Sequence, residues 1–325
     1  MQAQRAIIRE TGMPSVIQWE TIDLPGPAAG EVLVRHDAIG VNFIDTYHRR
    51  GIYPIDLPSG LGMEAAGRVV AVGAGVTDLK EGDRVATFGP EPGAYATARL
   101  YRADILFKLP DAIDDELAAA AMLKACTTEF LVERCARVQA GWPVLVYAAA
   151  GGVGLMLVQW LKHVGATVIG TVSTPQKADL AKAAGADHVL IYGQEPVAPQ
   201  IRALTGGAGV RVTFDGVGMA TWETSLEATG ERGLIINYGN ADAPVGGVNL
   251  GVLAMKGSLF NTRPMLYHYY ADPVERAAGA ARIWDMLTSG ALKITIGQRY
   301  PLVQVAIAHT DMEARRTVGS TVLLP

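Results

Sequence analysis

A glycine-rich turn between an apolar run and a helical pattern is the segment of this chain best suited to bind a ligand. Residues 144–147 predict a buried parallel strand, and apolar residues recur at helical spacing over 153–164. Gly151 and Gly154 permit a tight turn and a close backbone approach to a phosphate, toward which the helix N-terminus points. Ala149 holds the first position of the usual G-x-G-x-x-G pattern. The context predicts a dinucleotide site; a purely structural strand–turn–helix unit is the alternative.

The end of the next predicted strand, residues 167–171, bears on which nucleotide binds. NAD sites usually carry an acidic side chain roughly 20 residues past the glycines to hold the ribose 2′-hydroxyl. Here the strand is followed by Ser173, and no acid comes before Asp179. A Thr-Pro pair then predicts a helix start with Lys177 in its first turn, where a cation is unfavourable unless it meets an anion. This predicts NADP, with a merely solvated Lys177 as the alternative.

The residues present do not support metal or covalent catalysis. Zinc-dependent alcohol dehydrogenases of this layout carry a ligand cysteine where this chain has Asn42, and a His-Glu pair where it has Met63 and Glu64. The six histidines lack ligand spacing, and only two cysteines occur. There is also no Gly-x-Ser-x-Gly elbow, and neither cysteine adjoins a histidine.

Direct hydride transfer from a nicotinamide is the chemistry that remains. In such enzymes the cofactor carries the reactive group, and the protein supplies orientation and hydrogen bonds. Without a metal the acceptor must already be electron-poor, as quinones and activated enones are.

Residues 39–54 supply a candidate acceptor pocket, because they mix aromatic side chains with Asn42 and Asp45. A flat apolar ring would stack there, and protonation would come from solvent or a hydroxyl such as that of Tyr53. The alternative makes Tyr47 and Tyr53 ordinary packing residues and Asn42 a turn former.

Composition excludes several other classes of function. The 325 residues carry a formal net charge of −4 and no basic run, so nothing indicates binding to nucleic acid or to an anionic membrane. No stretch reaches about 18 apolar residues, and the first residues lack a secretory-signal pattern, so we expect a soluble cytoplasmic protein. Both cysteines lie in the helical stretch 117–138 and are expected to be buried thiols.

Two regions with different patterns must position these residues. Residues 1–121 alternate short β-runs with Pro and Gly clusters, which predicts a mostly antiparallel barrel. Residues 122–264 alternate strands with helices, which predicts a doubly wound parallel sheet. Residues 265–325, with a helix over 273–289, are expected to return to the first domain, so that ligands would occupy an interdomain cleft. A strand at 257–262 would offer an edge to a second subunit.

Several long motifs, in order, cover essentially the whole chain: residues 39–54, 61–67, 148–154, 170–177, 238–240, 248–251 and 262–264. Together they closely resemble the zinc-independent NADPH:quinone oxidoreductases of the medium-chain dehydrogenase/reductase superfamily, the zeta-crystallin-like branch. The resemblance implies an α/β fold with a GroES-like β-rich barrel domain and a Rossmann domain. It also implies a homodimer in which NADPH reduces quinones.

The resemblance further implies roles for individual residues. Those at the pyrophosphate would be Gly151, Gly152, Val153 and Gly154. Those around the 2′-phosphate would be Ser173, Lys177, Tyr192 and Arg315. Those along the nicotinamide half would be Asn42, Asp45, Thr128, Val217, Tyr238, Gly239, Asn240 and Thr262. Those nearer the acceptor would be Tyr47, Tyr53, Met63 and Arg263, with Met63 departing from the threonine of some relatives.

Two other functions stay open from the sequence. An NADPH-dependent enone or alkenal double-bond reductase would share the fold and the hydride donor. A non-catalytic, crystallin-like NADPH-binding protein would act by association, including with RNA, although the acidic balance and the lack of a basic patch weigh against RNA.

Overall fold

The computed structural model describes residues 1–325, which divide into two compact units. The first unit comprises Met1–Lys124 and Ile294–Pro325, and the second comprises Ala125–Lys293. The sequence assigned residues 265–293 to the first domain, whereas they belong to the second unit. The predicted boundaries of the domains, residues 1–121 with 265–325 and residues 122–264, stay a prediction.

The first unit is rich in β-strands. Its elements in chain order are β1 (Gln2–Ile8), β2 (Gln18–Asp23), β3 (Glu31–Val41), α1 (Phe43–Arg50), β4 (Ser59–Gly60), β5 (Glu64–Val72), β6 (Arg84–Thr87), β7 (Ala98–Arg102) and β8 (Phe107–Lys108). Helix α2 (Asp115–Glu129) runs from this unit into the second. The elements that return at the end of the chain are β15 (Ile296–Pro301), α10 (Val305–Glu313) and β16 (Ser320–Leu324).

Two sheets build this unit. One has the order β2-β1-β4, and the other has the order β15-β16-β3-β5-β6-β8 with β7 paired to β3. All pairs are antiparallel except β15 with β16, which confirms the mostly antiparallel prediction. Apolar side chains from several strands, from α10 and from segments between strands form one buried cluster, which includes Ile8, Ile39, Leu61 and Leu323. Burial of this cluster anchors the C-terminal strands to the N-terminal sheet.

The second unit alternates strands and helices. Its elements in chain order are β9 (Pro143–Val146), α3 (Gly152–Val164), β10 (Thr167–Val172), α4 (Pro175–Ala183), β11 (His188–Ile191), α5 (Val197–Leu204), β12 (Val210–Asp215), α6 (Trp222–Ala228), β13 (Thr229–Asn237), α7 (Gly251–Met255), β14 (Phe260–Thr262), α8 (Leu266–Tyr269) and α9 (Pro273–Thr288).

A single parallel sheet forms the centre of this unit. Its order is β11-β10-β9-β12-β13-β14, so the first strand of the unit, β9, lies in the middle with strands added on either side. This is the doubly wound arrangement, and the prediction of it is confirmed. Val144, Leu145 and Val146 of β9 are fully buried, as expected for a central parallel strand covered by helices on both faces. The connections reverse direction between β9 and β12, which is where such sheets bind ligands.

The helical stretch that contains both cysteines is not one regular helix. After α2 the chain forms a π-helical segment, Phe130–Cys135, in which Ala136 N donates to Leu131 O. Cys126 is buried and Cys135 is half-buried, and both are free thiols. Among the helices of the protein, none combines the length and the apolar character that crossing a membrane requires.

Candidate functional site

Asn42 and Asp45 lie together at the N-terminus of α1, directly after β3. Asn42 occupies the N-cap position, and its backbone N–H donates to Asp45 Oδ2 at 2.8 Å. A carboxylate in the first turn is favourable because it accepts from an unpaired N–H at the positive end of the helix. Both side chains are buried. The sequence named both residues, and the fold brings them within hydrogen-bond distance.

A buried ion pair holds the side chain of Asn42. Asn42 Nδ2 donates to Glu64 Oε2 at 2.8 Å, and Lys124 Nζ donates to the same oxygen at 3.3 Å. Leu123 N donates to Glu64 Oε1 at 2.6 Å. Glu64 contacts Gly40 so closely that a Cβ at that position would overlap its carboxylate. The amide of Asn42 is therefore fixed in orientation.

Sequence reasoning missed Glu64 and Lys124 as parts of this site. Charged side chains are almost never fully buried unless they are paired. Lys124 stands in a run of apolar residues within α2, and Glu64 follows the apolar segment 61–63. A charged residue in each of two apolar segments was the available sign that both are buried and paired. The sequence gives no indication that they pair with each other.

Asp45 has an unusual environment. Tyr95 Oη donates to Asp45 Oδ2 at 2.7 Å, whereas Asp45 Oδ1 is buried and makes no hydrogen bond. Burial raises the pKa of the Asp45 carboxyl to about 7, although the hydrogen bonds from Tyr95 and from Asn42 lower it. Asp45 therefore changes charge near neutral pH, where an ordinary aspartate is fully ionised.

The aromatic side chains of the predicted acceptor pocket pack on one another. The Tyr47 and Tyr53 rings meet edge to face with centroids 5.2 Å apart, and the His48 ring lies 6.0 Å from Tyr53. Tyr47 and Met63 are buried. These contacts fit a stacking pocket and also fit ordinary loop packing. An acceptor role for Tyr47, Tyr53 and Met63 therefore stays a prediction.

The glycine turn of the second unit has the geometry that a phosphate cradle needs. Gly151 caps α3 with extended backbone and no capping side chain, so the first N–H groups of the helix are left for another acceptor. A Cβ at Gly154 would overlap the carbonyl oxygen of Ala148. Ala148 itself has a φ of 51°, in the left-handed region. The tight turn therefore requires glycine at position 154 and holds Ala148 in a strained backbone conformation.

The carboxyl ends of β10 and β11 carry the residues predicted to surround a 2′-phosphate. Ser173 follows β10 and is exposed. Thr174 caps α4 through a hydrogen bond from Lys177 N at 3.3 Å, which confirms that Lys177 lies in the first turn. Tyr192 follows β11, and its hydroxyl accepts from Thr171 Oγ1 at 2.8 Å. Neighbouring parallel strands thus place these residues at one edge of the sheet.

The carboxyl ends of β12 and β13 are joined by Asp215, a residue that the sequence did not single out. Its buried carboxylate accepts four hydrogen bonds, from Val217 N, Gly218 N, Thr221 Oγ1 and Ser225 Oγ. Its backbone oxygen accepts from Tyr238 N at 2.8 Å. Burial raises the pKa of Asp215, and these hydrogen bonds oppose that rise. Asp215 therefore fixes the two turns that carry the predicted residues Val217 and Tyr238.

The remaining predicted residues fall in different places. Gly239 and Asn240 follow Tyr238, and Gly239 contacts the backbone of Gly216. Thr262 ends β14, and Arg263 donates to Asn237 O at 2.7 Å, so this pair adjoins the end of β13. Thr128 is buried near the end of α2. Arg315 belongs to the first unit, where it is exposed with a φ of 59° after α10.

No group of three or more His, Cys, Asp or Glu side chains is arranged to hold a metal ion. Glu64, the residue nearest to the zinc-ligand pattern in sequence, has its carboxylate engaged by Asn42, Leu123 and Lys124.

Comparison with known proteins agrees with this arrangement. Residues 28–111 match the family model "Alcohol dehydrogenase GroES-like domain", and residues 152–272 match "Zinc-binding dehydrogenase". A quinone oxidoreductase of Pseudomonas aeruginosa is 47% identical, over 99% of this chain and 100% of that protein. The structure of Escherichia coli quinone oxidoreductase complexed with NADPH has a TM-score of 0.97 and 43% identity, over 99% of this chain and 100% of that one. A 2-haloacrylate reductase of Burkholderia is 42% identical over 98% of each chain.

A GroES-like β-rich unit joined to a doubly wound parallel sheet defines a medium-chain dehydrogenase/reductase. The chain belongs to the quinone oxidoreductase family of that superfamily.

Proposed function

We propose that this chain is an enzyme that reduces quinones with NADPH, by hydride transfer and without a metal ion. The observation that carries the proposal is the full-length likeness to a quinone oxidoreductase whose structure holds NADPH. The metal-independent part rests on the sequence, because Asn42 and Met63 stand where zinc ligands would be expected.

The second unit fits the proposed cofactor. The uncapped N-terminus of α3 would hold the pyrophosphate at Gly151, Gly152, Val153 and Gly154. Ser173, Lys177 and Tyr192 would hold the 2′-phosphate, and Arg315 is proposed as a further contact. Thr128, Val217, Tyr238, Gly239, Asn240 and Thr262 would line the nicotinamide half together with Asn42 and Asp45. The bound nicotinamide supplies the hydride.

The protein's own residues would orient the reaction. Asn42 presents a fixed amide, since Glu64 holds its Nδ2. Tyr47, Tyr53, Met63 and Arg263 would form the acceptor side. Reduction of a quinone to a hydroquinone consumes one proton besides the hydride, and solvent or a hydroxyl such as that of Tyr53 would supply it.

One observation favours a second candidate, reduction of an activated carbon–carbon double bond. The Burkholderia relative is a 2-haloacrylate reductase, and it is almost as similar to this chain as the quinone oxidoreductases are. Quinones and activated double bonds are both electron-poor acceptors of hydride, so hydride transfer at the same site could reduce either class of substrate.

The test measures NADPH oxidation by the purified protein with several small quinones and, in parallel, with 2-haloacrylate and simple enones. We expect turnover with quinones and a strong preference for NADPH over NADH. Asp45→Asn, compared with the distant surface variant Lys182→Ala, checks that turnover depends on the proposed site. Oxidation of NADPH with haloacrylates or enones but with no quinone would replace the first proposal by the second.

We also propose a homodimer that forms through β14. This strand is the last of the parallel sheet and pairs only with β13, so its other edge is open. Exposed apolar side chains lie in and beside it, with Leu250 74%, Met255 81%, Phe260 62% and Met265 52% exposed. A second subunit would cover both features. A cytoplasmic location stays a prediction from the sequence.

A further inference from the structure

Asp45 is the end point of a chain of hydrogen bonds that crosses the first unit. Arg49 Nη1 lies 3.1 Å from His309 Nδ1, His309 Nε2 lies 2.9 Å from Tyr95 Oη, and Tyr95 Oη lies 2.7 Å from Asp45 Oδ2. Arg49 is fully buried, and Glu313 accepts two hydrogen bonds from its Nη2 at 2.8 and 2.9 Å. The chain joins α1, α10 and the segment between β6 and β7.

The direction of every hydrogen bond in this chain follows from Arg49. A guanidinium only donates, so His309 Nδ1 must accept, and the proton of the neutral imidazole must sit on Nε2. Burial and the nearby Arg49 charge lower the pKa of His309 to about 3, so the ring is neutral. Nε2–H then donates to Tyr95 Oη, which leaves the Tyr95 hydroxyl proton to point at Asp45 Oδ2.

The two oxygens of the Asp45 carboxyl therefore differ in their hydrogen bonds. Oδ2 accepts from Tyr95 and from Asn42 N, whereas the buried Oδ1 makes no hydrogen bond. Other charged groups also face this carboxyl from the elements around it. They are Glu64 of β5 and Lys124 of α2, with Arg49 of α1 lying beyond Tyr95 and the neutral ring of His309 of α10.

We propose that Tyr95, His309 and Arg49 are positioning residues of the enzyme, which hold Asp45 Oδ2 as an acceptor and keep Oδ1 as the oxygen that gains or loses a proton. The proposal rests on the proposed function, because it gives Asp45 a part in the reaction. It assigns a role to three residues that lie 50 to 264 positions from their partners and that no motif in the sequence connects.

The first test follows the Asp45 carboxyl by infrared titration of the purified protein without cofactor, with Asp45→Asn to identify its band. Tyr95→Phe removes one donor to the ionised carboxyl and keeps the ring. We therefore expect the titration midpoint to rise by roughly one to two pH units, as for the loss of one hydrogen bond to a charged group. Tyr300→Phe is the matched control, since Tyr300 Oη donates to Asp311 at 2.6 Å in the same unit. It should leave the midpoint unchanged.

A second measurement needs no variant at position 95. Nitrogen NMR of the imidazoles, with His309→Gln to assign the signal, should show His309 neutral with its proton on Nε2. A proton on Nδ1, or an Asp45 midpoint that stays in place or falls in Tyr95→Phe, would overturn the proposal.

The rate of quinone reduction separates this proposal from the proposed function. With an active wild-type enzyme, the inflection in its pH–rate profile should move up in Tyr95→Phe by the same amount as the infrared midpoint. An inflection that does not move contradicts the role in the reaction. Absence of quinone turnover in the wild type, with the infrared shift present, would reject the proposed function and leave the hydrogen-bond chain established.

Discussion

Lys177 shows how a single residue can carry cofactor choice. It lies in the first turn of α4, next to the N-cap Thr174, where the helix dipole disfavours a cation by about 0.3–1 kcal/mol. An anionic group bound at the same helix end would offset that cost and would pair with the ammonium. Ser173 and Tyr192 lie at the ends of the neighbouring strands β10 and β11 and add hydroxyl groups to this end of the sheet. We therefore expect discrimination between the two dinucleotides to depend on this lysine.

Lys177→Ala should weaken binding of NADPH by on the order of 1.5–3 kcal/mol, as for a charged hydrogen bond, and leave NADH binding nearly unchanged. Calorimetric titration of both cofactors measures the difference. Lys182→Ala, in the last turn of the same helix, is the control and should affect neither. An equal loss for NADH and NADPH would refute the assignment of Lys177.

The β9–turn–α3 element depends on a close contact between its turn and its helix. Gly154 is the first-turn residue that packs on the carbonyl of Ala148, and Gly170 of β10 packs on Ala149 from the next strand. These contacts let α3 begin directly beside the strand ends. Gly151 is less constrained, because its φ is −78° and a Cβ there would lie 3.2 Å from Ala148 O.

Gly154→Ala should therefore destabilise the protein without cofactor by roughly 1–3 kcal/mol, since turn and helix must separate to admit the methyl group. Gly151→Ala should cost clearly less. Urea unfolding of both variants and the wild type provides the comparison. Similar losses in the two variants would show that the close approach at Gly154 does not limit the fold.

At the scale of the whole molecule, the outer edge of β14 is one of two edges of the parallel sheet that no strand of this chain pairs with, and it is the one with exposed apolar side chains in and beside it. Proteins usually shield an exposed edge strand with charges, bulges or a partner. Strand β14 has three residues, and the apolar side chains around it are more exposed than a solitary surface residue would require.

Phe260→Glu should convert the proposed dimer to a monomer, because it would bury a charge at each copy of the edge strand. Sedimentation velocity over a range of concentrations measures the state. Leu204→Glu, at the end of α5 where an apolar side chain is also exposed, is the control and should remain dimeric. A wild-type protein that sediments as a monomer at all concentrations would rule out the dimer.

Much of the fold and part of the site could be predicted from neighbouring residues. The strand over 167–171 and the helix from Pro273 were placed within a residue of their observed bounds, as was the first turn of α4. Local patterns suffice here because apolar periodicity, caps and glycine turns act over a few residues.

The sequence by itself determined the parallel sheet and the glycine turn, and it named Asn42 and Asp45 as site residues, whereas the helix start that brings these two together was seen only in the structure. Only the tertiary structure decided which distant groups hold them: Glu64 with Lys124 on one side, and Tyr95 with His309 and Arg49 on the other. The reason is physical. A buried charge or hydroxyl requires a partner, but any suitable donor or acceptor meets that requirement, and only the folded chain selects which one comes within reach.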